Sequence, residues 1–276
     1  MDLLQATVYG IVQGLSEFLP ISSTAHLRIV PALLGWGDPG AAYTAIIQLG
    51  TTAAVLVYFA KDIGRIAKAW LVGLARREPF GDFDARLGWY VIVGTIPVVV
   101  LGLLLKKYIE GEFRSLYVIA FAAIVMASLL AVAEKAARHA RALESVTLKD
   151  GIVVGLMQAL ALVPGASRSG CTLTGGLFLG LQRDAAARFS FLLSIPATIG
   201  AGLFELRHAF KHHAPGEVLS WGPLVVGTVV SFVLGWLSIA WLLRYLRTRS
   251  TFVFIVYRLL LGATLLTLLT LGILKP

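Results

Sequence analysis

The chain has 276 residues, of which 58% are hydrophobic and 14% charged, and its mean hydropathy is +0.83. A soluble domain carries roughly 25% charged residues, so the composition excludes a water-solvated globule and fits a single membrane domain over residues 1–276. The net charge of +9, from 24 Lys and Arg against 15 Asp and Glu, falls mostly in short loops between apolar runs, where it reads as a topology signal and not as a nucleic-acid surface.

No cleavable signal peptide is expected, because Met1-Asp2 lacks a basic start and no small-residue cleavage site follows. The first apolar region, residues 3–34, is interrupted at 17–24. Each half is too short to cross a bilayer, which takes about 20 apolar residues. A half-helix, a polar turn and a second half-helix predict a re-entrant hairpin, whose irregular backbone must face protein or a watery cavity. Full spans are predicted at 43–60, 87–105 and 116–133. A second interrupted region, 148–181, breaks at 164–170 and predicts a second hairpin; spans at 186–204, 223–243 and 252–273 follow. The only cysteine, Cys171, lies in the second hairpin among small residues and reads as a packing thiol.

The stretches 61–86, 135–149 and 244–249 hold six, four and three Lys or Arg, and the intervening loops hold fewer. With six spans and two hairpins, the rich loops fall on one side, taken as cytoplasmic, and both termini on the other. Arg183 reads as another topology charge, and Arg258, inside the last span, as a pairing or snorkelling residue. His208, His212 and His213 read as a solvated loop and not a metal site. The interrupted regions also resemble each other. Gly10-Ile11-Val12-Gln13 matches Gly155-Leu156-Met157-Gln158 and, after a one-residue shift, Leu19-Pro20-Ile21-Ser22-Ser23 matches Val163-Pro164-Gly165-Ala166-Ser167. The expected fold is therefore all-α and membrane-integral, with about six transmembrane helices and two re-entrant hairpins in an inverted repeat, residues 1–133 against 148–276.

Ionisable groups inside apolar segments are functional suspects, and Glu17, His26 and Arg168 stand in or beside the two breaks. Gln13 and Glu17 share one helix face, with Ser22, Ser23, Thr24 and His26 just beyond. A hydroxyl becomes a nucleophile when a neighbouring base takes its proton, and Glu17 or His26 supplies one. Ser22 alone is expected to cap loose backbone N–H groups. In the second break, the Arg168 fork suits phosphate oxygens, Ser167 and Ser169 add donors, and Gly165 and Gly170 let backbone approach an anion. An Arg168–Glu17 pair is the structural alternative. A base, a hydroxyl and an anion clamp together suit phosphoryl transfer, with apolar helices beside them for a lipid tail.

Gln13-Gly14-Leu15-Ser16-Glu17-Phe18-Leu19-Pro20-Ile21-Ser22-Ser23-Thr24-Ala25-His26-Leu27 resembles the first signature of the bacterial undecaprenyl-diphosphatase family of the bacitracin-resistance type. Pro164-Gly165-Ala166-Ser167-Arg168-Ser169-Gly170 resembles its second signature. Ile47-Gln48-Leu49-Gly50 and Phe189-Ser190-Phe191-Leu192-Leu193-Ser194-Ile195-Pro196-Ala197 match as well. The resemblance covers nearly the whole chain. It implies removal of the terminal phosphate of undecaprenyl diphosphate, recycling the carrier lipid of peptidoglycan synthesis at the outer face of the bacterial plasma (inner) membrane, with bacitracin resistance as a consequence. It also implies a divalent cation, Mg2+ or Ca2+.

Carried over, Glu17 is the acidic member of the first motif and the metal ligand, Ser23 the nucleophile, and His26 a base, acid or competing nucleophile. Direct attack by water is a third route. Ser167 and Arg168 bind the diphosphate, and Gln13, Ser22, Thr24, Gln48, Ser169 and Thr172 line the site. Many family members carry Glu where this chain has Gln13; an amide is the weaker ligand for a hard cation, so Glu17 and the substrate phosphates are expected to hold it. The partners implied are a polyprenyl diphosphate lipid, the bilayer and a second copy of the chain, with no nucleic acid. A lipid flippase or transporter is the competing class, since inverted repeats with broken helices are also a transporter architecture. A different membrane phosphatase class needs a Pro-Ser-Gly-His motif that this sequence lacks.

Overall fold

Asp2 caps the first helix, α1 (Leu3–Phe18). Its carboxylate accepts from Gln5 N at 2.7 Å while the Gln5 side chain accepts from Asp2 N at 3.2 Å, satisfying donors that a helix start leaves open. Pro20 then disfavours helical backbone at the residue before it, and Leu19 is extended at φ −67° and ψ 143°. Helix α2 (Ser23–Leu34) turns back and stops at Gly35 in left-handed backbone. With 16 and 12 residues, the two helices are about 24 and 18 Å long, short of the ~30 Å a span requires. The computed structural model describes residues 1–37, 39–211 and 221–274. His212, His213 and the side chain of His208 lie outside the described residues.

Helix α3 (Ala41–Tyr58) bends by 69° into α4 (Ala60–Ala75), so part of the stretch read as a charged loop is helical. The reason is visible in its spacing: Ile63, Ile66, Ala67 and Trp70 form an apolar stripe against the next helix, while Lys61, Arg65 and Lys68 take the other face. Helices α5 (Phe83–Leu104), the short α6 (Lys106–Glu110) and α7 (Leu116–Ala136) complete the first half. The second half holds α8 (Leu148–Leu160), α9 (Arg168–Phe178), α10 (Arg183–Lys211), α11 (Trp221–Leu246) and α12 (Phe252–Thr270). Five helices, α5, α7, α10, α11 and α12, are long and apolar enough to cross a membrane, and the bent α3–α4 pair makes a sixth if counted as one span. The protein is an all-α, multi-pass membrane protein, with no strand among the described residues beyond one isolated bridge.

The second hairpin is held at its base. Arg141 donates to both Asp150 carboxylate oxygens at 2.9 and 2.6 Å, and to the carbonyls of Leu179 and Ser145. One bidentate guanidinium thus ties the start of α8 to the end of α9. Arg183, read from sequence as a topology charge, is also an ion-pair partner: it donates twice to Glu134, whose other oxygen accepts from Thr251 Oγ1 at 2.8 Å. This joins the ends of α7, α10 and α12.

The two hairpins correspond at one constant offset, without the shift that the sequence match needed. Asp2 and Thr147 both open capping boxes. Ser22 and Ser167 both precede the returning helix in left-handed backbone, at φ 76° and φ 68°, a region costly for a residue with a side chain. The prolines, Pro20 and Pro164, are what slip by one position. Packing is exchanged between the halves: α1 packs most extensively on α11, and α8 on α5. Both seams are glycine-lined. A Cβ on Gly10 would stand 2.7 Å from the Gly227 carbonyl oxygen, and one on Gly155 would stand 2.7 Å from Gly94 Cα. Helices approach this closely in membranes because lipid tails supply no hydrophobic drive and direct backbone packing replaces it. The largest core cluster, with Phe18, Phe59, Phe189 and Phe191, lies beside the hairpin junction, where the Phe18 and Phe191 rings meet edge to face at 5.5 Å.

Candidate functional site

The tips of the two hairpins touch. Arg168 Nη2 donates to Glu17 Oε1 at 2.7 Å, and Ser169 Oγ donates to the Leu19 carbonyl at 3.0 Å. On the other carboxylate oxygen, Glu17 Oε2 accepts from Ser23 Oγ at 2.6 Å and from Gln13 Nε2 at 3.0 Å. Ser23 and Arg168 are the first residues of α2 and α9. They occupy equivalent places one residue after the strained serines, and each binds one oxygen of the same carboxylate. Gln13 is buried and also donates to Thr51 Oγ1 at 3.2 Å, so it orients Glu17 from behind.

A cavity of about 190 Å³ opens at this junction. Glu17, Ser22, Ser23, Thr24, Gln48, Ser167 and Arg168 line it, together with Gln158, Ala161, Leu162, Thr198 and apolar residues of α5 and α10. The remaining sequence candidates sit behind its wall. Thr172 is buried and bonds the Arg168 carbonyl at 2.8 Å and the Ser190 hydroxyl. Ser169 serves as the bolt between the tips.

His26 also stands away from the cavity lining. Its Nδ1 lies 2.7 Å from the Ser22 carbonyl oxygen and its Nε2 bonds the Tyr257 hydroxyl. A carbonyl only accepts, so the neutral ring is protonated on Nδ1 and takes the phenol proton on Nε2. Both nitrogens are engaged away from Ser23.

Ser22 departs from the capping role expected of it. It makes no side-chain cap, and its buried hydroxyl has no partner among the described residues. Its equivalent Ser167 does cap, accepting from Gly170 N at 3.2 Å. Ser22, which lines the cavity, therefore carries a hydroxyl with no partner among the described residues. Arg258 does not snorkel, and it pairs with no carboxylate among the described residues. It is fully buried, and Nη2 donates to the carbonyls of Gly165 and Ala166 at 3.1 and 2.7 Å, holding the turn that presents Ser167 and Arg168. A charge in the last span was the signal; its target, two backbone carbonyls, has no sequence mark.

Val98, Leu162, Ala197 and Ala201 line this cavity and also a neighbouring apolar groove of about 430 Å³ between α5 and α10. The groove continues over Val99, Gly102, Leu103, Pro196 and Gly200, and Lys106 stands at its edge with Nζ 4.6 Å from the Phe204 ring centroid. A polar chamber with one guanidinium thus merges into a hydrocarbon-lined channel, a shape that accepts a charged head and a long apolar tail.

Glu17 is the one carboxylate lining the chamber, and no cluster of three His, Cys, Asp or Glu ligands occurs among the described residues. That donor set fits a Mg2+-type ion, which keeps several waters and takes one or two carboxylates plus substrate phosphates. It does not fit a cation caged by protein ligands.

The model of the bacitracin resistance protein BacA family matches residues 6–264. An undecaprenyl-diphosphatase of Myxococcus xanthus is 62% identical over 100% of this chain and 92% of its own. Undecaprenyl-diphosphatases of Chloroherpeton thalassium and a Nocardioides species are 56% and 54% identical, each over 99% of this chain and 98% of their own. With the two hairpin motifs joined through Glu17 and a family match spanning nearly its full length, the chain belongs to the bacitracin resistance protein BacA family.

Proposed function

We propose that the protein hydrolyses undecaprenyl diphosphate to undecaprenyl phosphate and inorganic phosphate. The observation that carries this reading is the Ser23–Glu17–Arg168 chain of hydrogen bonds at the mouth of an apolar groove. The relatives named undecaprenyl-diphosphatase support the substrate class.

In this reading the polyprenyl tail lies in the groove and the diphosphate in the chamber. Arg168, with its planar fork, turns from Glu17 toward the phosphate oxygens. Ser23 Oγ attacks the terminal phosphorus while its proton passes to Glu17 Oε2, already placed as acceptor. The bond from that phosphorus to the bridging oxygen breaks, and the lipid monophosphate leaves with that oxygen. Glu17 passes that proton to the departing monophosphate. Water then attacks the phosphoserine while Glu17 takes its proton, the phosphorus bond to Ser23 Oγ breaks to release inorganic phosphate, and Glu17 returns the proton to Ser23. Most of the catalysis is positioning and charge stabilisation, as phosphoryl transfer requires. Ser22 and the Ser167 turn donate to phosphate oxygens. A divalent cation, entering with the diphosphate and held by Glu17, would neutralise phosphate charge.

The exchanged seams, the paired capping boxes and the paired left-handed serines support two inverted repeats. The loop charges support a site reached from the outer face of the bacterial plasma membrane, the side on which the diphosphate of the recycled carrier is exposed. The purified protein should release phosphate from a polyprenyl diphosphate and lose this with chelator. Glu17→Ala should lose about 10²–10⁴-fold and Arg168→Ala about 10³-fold, each with a retained thermal transition. Normal turnover by both variants would show the site to be misassigned.

A further inference from the structure

We infer that Gln158 forms the subsite for the lipid-linked phosphate, the one that departs on the lipid, through its side-chain amide. The inference rests on the phosphatase reading above and adds a residue that neither motif contains. Gln158 and Gln13 are equivalent by the offset that relates the hairpins. The Gln13 amide nitrogen is occupied, donating to Glu17 and Thr51. At the position equivalent to Glu17 the second hairpin carries Leu162, so its own hairpin offers Gln158 no carboxylate four residues on. Gln158 is 0% exposed, and neither Nε2 nor Oε1 has a partner among the described residues. Buried amides without partners are rare in native proteins, and each calls for an explanation. Here the residue lines the site chamber, and an anionic oxygen is the acceptor that chamber is built to receive.

The position on α8 selects which phosphate. Gln158, in the last turn of α8, and Ala161 and Leu162, in the turn that follows it, all contribute to the chamber wall. Leu162 is also shared with the apolar groove. The wall that bears Gln158 therefore runs into the tail channel, whereas Ser23 and Glu17 belong to the opposite hairpin. In an in-line transfer the leaving oxygen lies across the terminal phosphorus from the nucleophile. That geometry puts the lipid-linked phosphate on the α8 side. An N–H donated there stabilises the departing monophosphate, and the cost of leaving this amide unpaired is relieved only when lipid phosphate is bound.

The test uses full-length protein in detergent, with wild type and Gln158→Leu compared in two measurements. Binding of a polyprenyl monophosphate, read as a ligand-induced rise in melting temperature, should weaken roughly 10–100-fold in Kd, the scale of one hydrogen bond to a charged group. Inhibition by inorganic phosphate should stay unchanged. Removing an unpaired amide should leave the melting temperature of the ligand-free protein unchanged or raised, whereas a structural glutamine would lower it. In turnover, kcat/KM for polyprenyl diphosphate should fall by a similar factor. Unchanged monophosphate binding, or a drop in ligand-free stability with binding intact, overturns the assignment. A wild type that binds the monophosphate through Gln158 but releases no phosphate would sink the phosphatase reading and leave the subsite standing.

Discussion

Glu17 and Arg168 are 151 residues apart in the chain and 2.7 Å apart in space. Their side chains are 7% and 20% exposed, so the pair is shielded but not sealed. Breaking a buried pair by removing one partner costs about 3–5 kcal/mol, and chamber access lowers that figure here. A bound phosphate can replace the carboxylate as the partner of Arg168, which makes the pair a closed form of the anion site and a clamp between the hairpins at once.

Ser23→Ala should reduce phosphate release by about 10³-fold or more, the scale of losing a nucleophile, and should abolish any acid-stable phosphorylated protein. His26→Ala and Tyr257→Phe should each reduce activity by a smaller factor, and their losses should not add, because both remove the same hydrogen bond. A full-activity Ser23→Ala would refute serine attack. Additive losses at His26 and Tyr257 would show that the imidazole acts independently of the phenol.

Filling the groove should separate tail recognition from chemistry. A Cβ on Gly200 meets nothing within 4 Å, and the residue lines the groove, so Gly200→Phe is tolerated by the fold and occupies tail space. KM for a long-chain diphosphate should rise at least several-fold, with release from a short-chain diphosphate nearly unchanged. Equal effects on both chain lengths would place the tail elsewhere.

The glycine seams give a stability contrast. Gly155→Ala forces a Cβ into the Gly94 backbone and should destabilise by about 1–3 kcal/mol, as overpacking does. Gly64 in α4 has nothing within 4 Å of its Cβ position, and Gly64→Ala should stabilise by about 0.5–1 kcal/mol. Thermal or denaturant unfolding in detergent reads both; a Gly155→Ala protein as stable as wild type would mean that the α5–α8 seam is loose.

The hairpins were legible because their causes are local. Pro20 and Pro164 disfavour helix at the residue before them, and polar runs at the breaks mark where backbone leaves the apolar register. The bent α3–α4 pair was half legible: α3 is an apolar run, but α4 is amphipathic and so charged that it passed for loop. Ser22 could not be read, since capping depends on the exact backbone after the break; φ 76° there brings no side-chain cap, while φ 68° at Ser167 comes with one.

By itself the sequence determined a membrane protein with two broken helices, and it set the carboxylate, hydroxyls and guanidinium at their breaks, because apolar length, proline and charge act over a few residues. Only the tertiary structure decided that Ser23 and Arg168 share the oxygens of Glu17, that His26 turns to Tyr257, that Arg258 braces the second turn and that Gln158 stands without a partner among the described residues. Those contacts join segments distant in the chain. They exist because glycine seams let α1 and α8 settle against the opposite halves and bring the hairpin tips together.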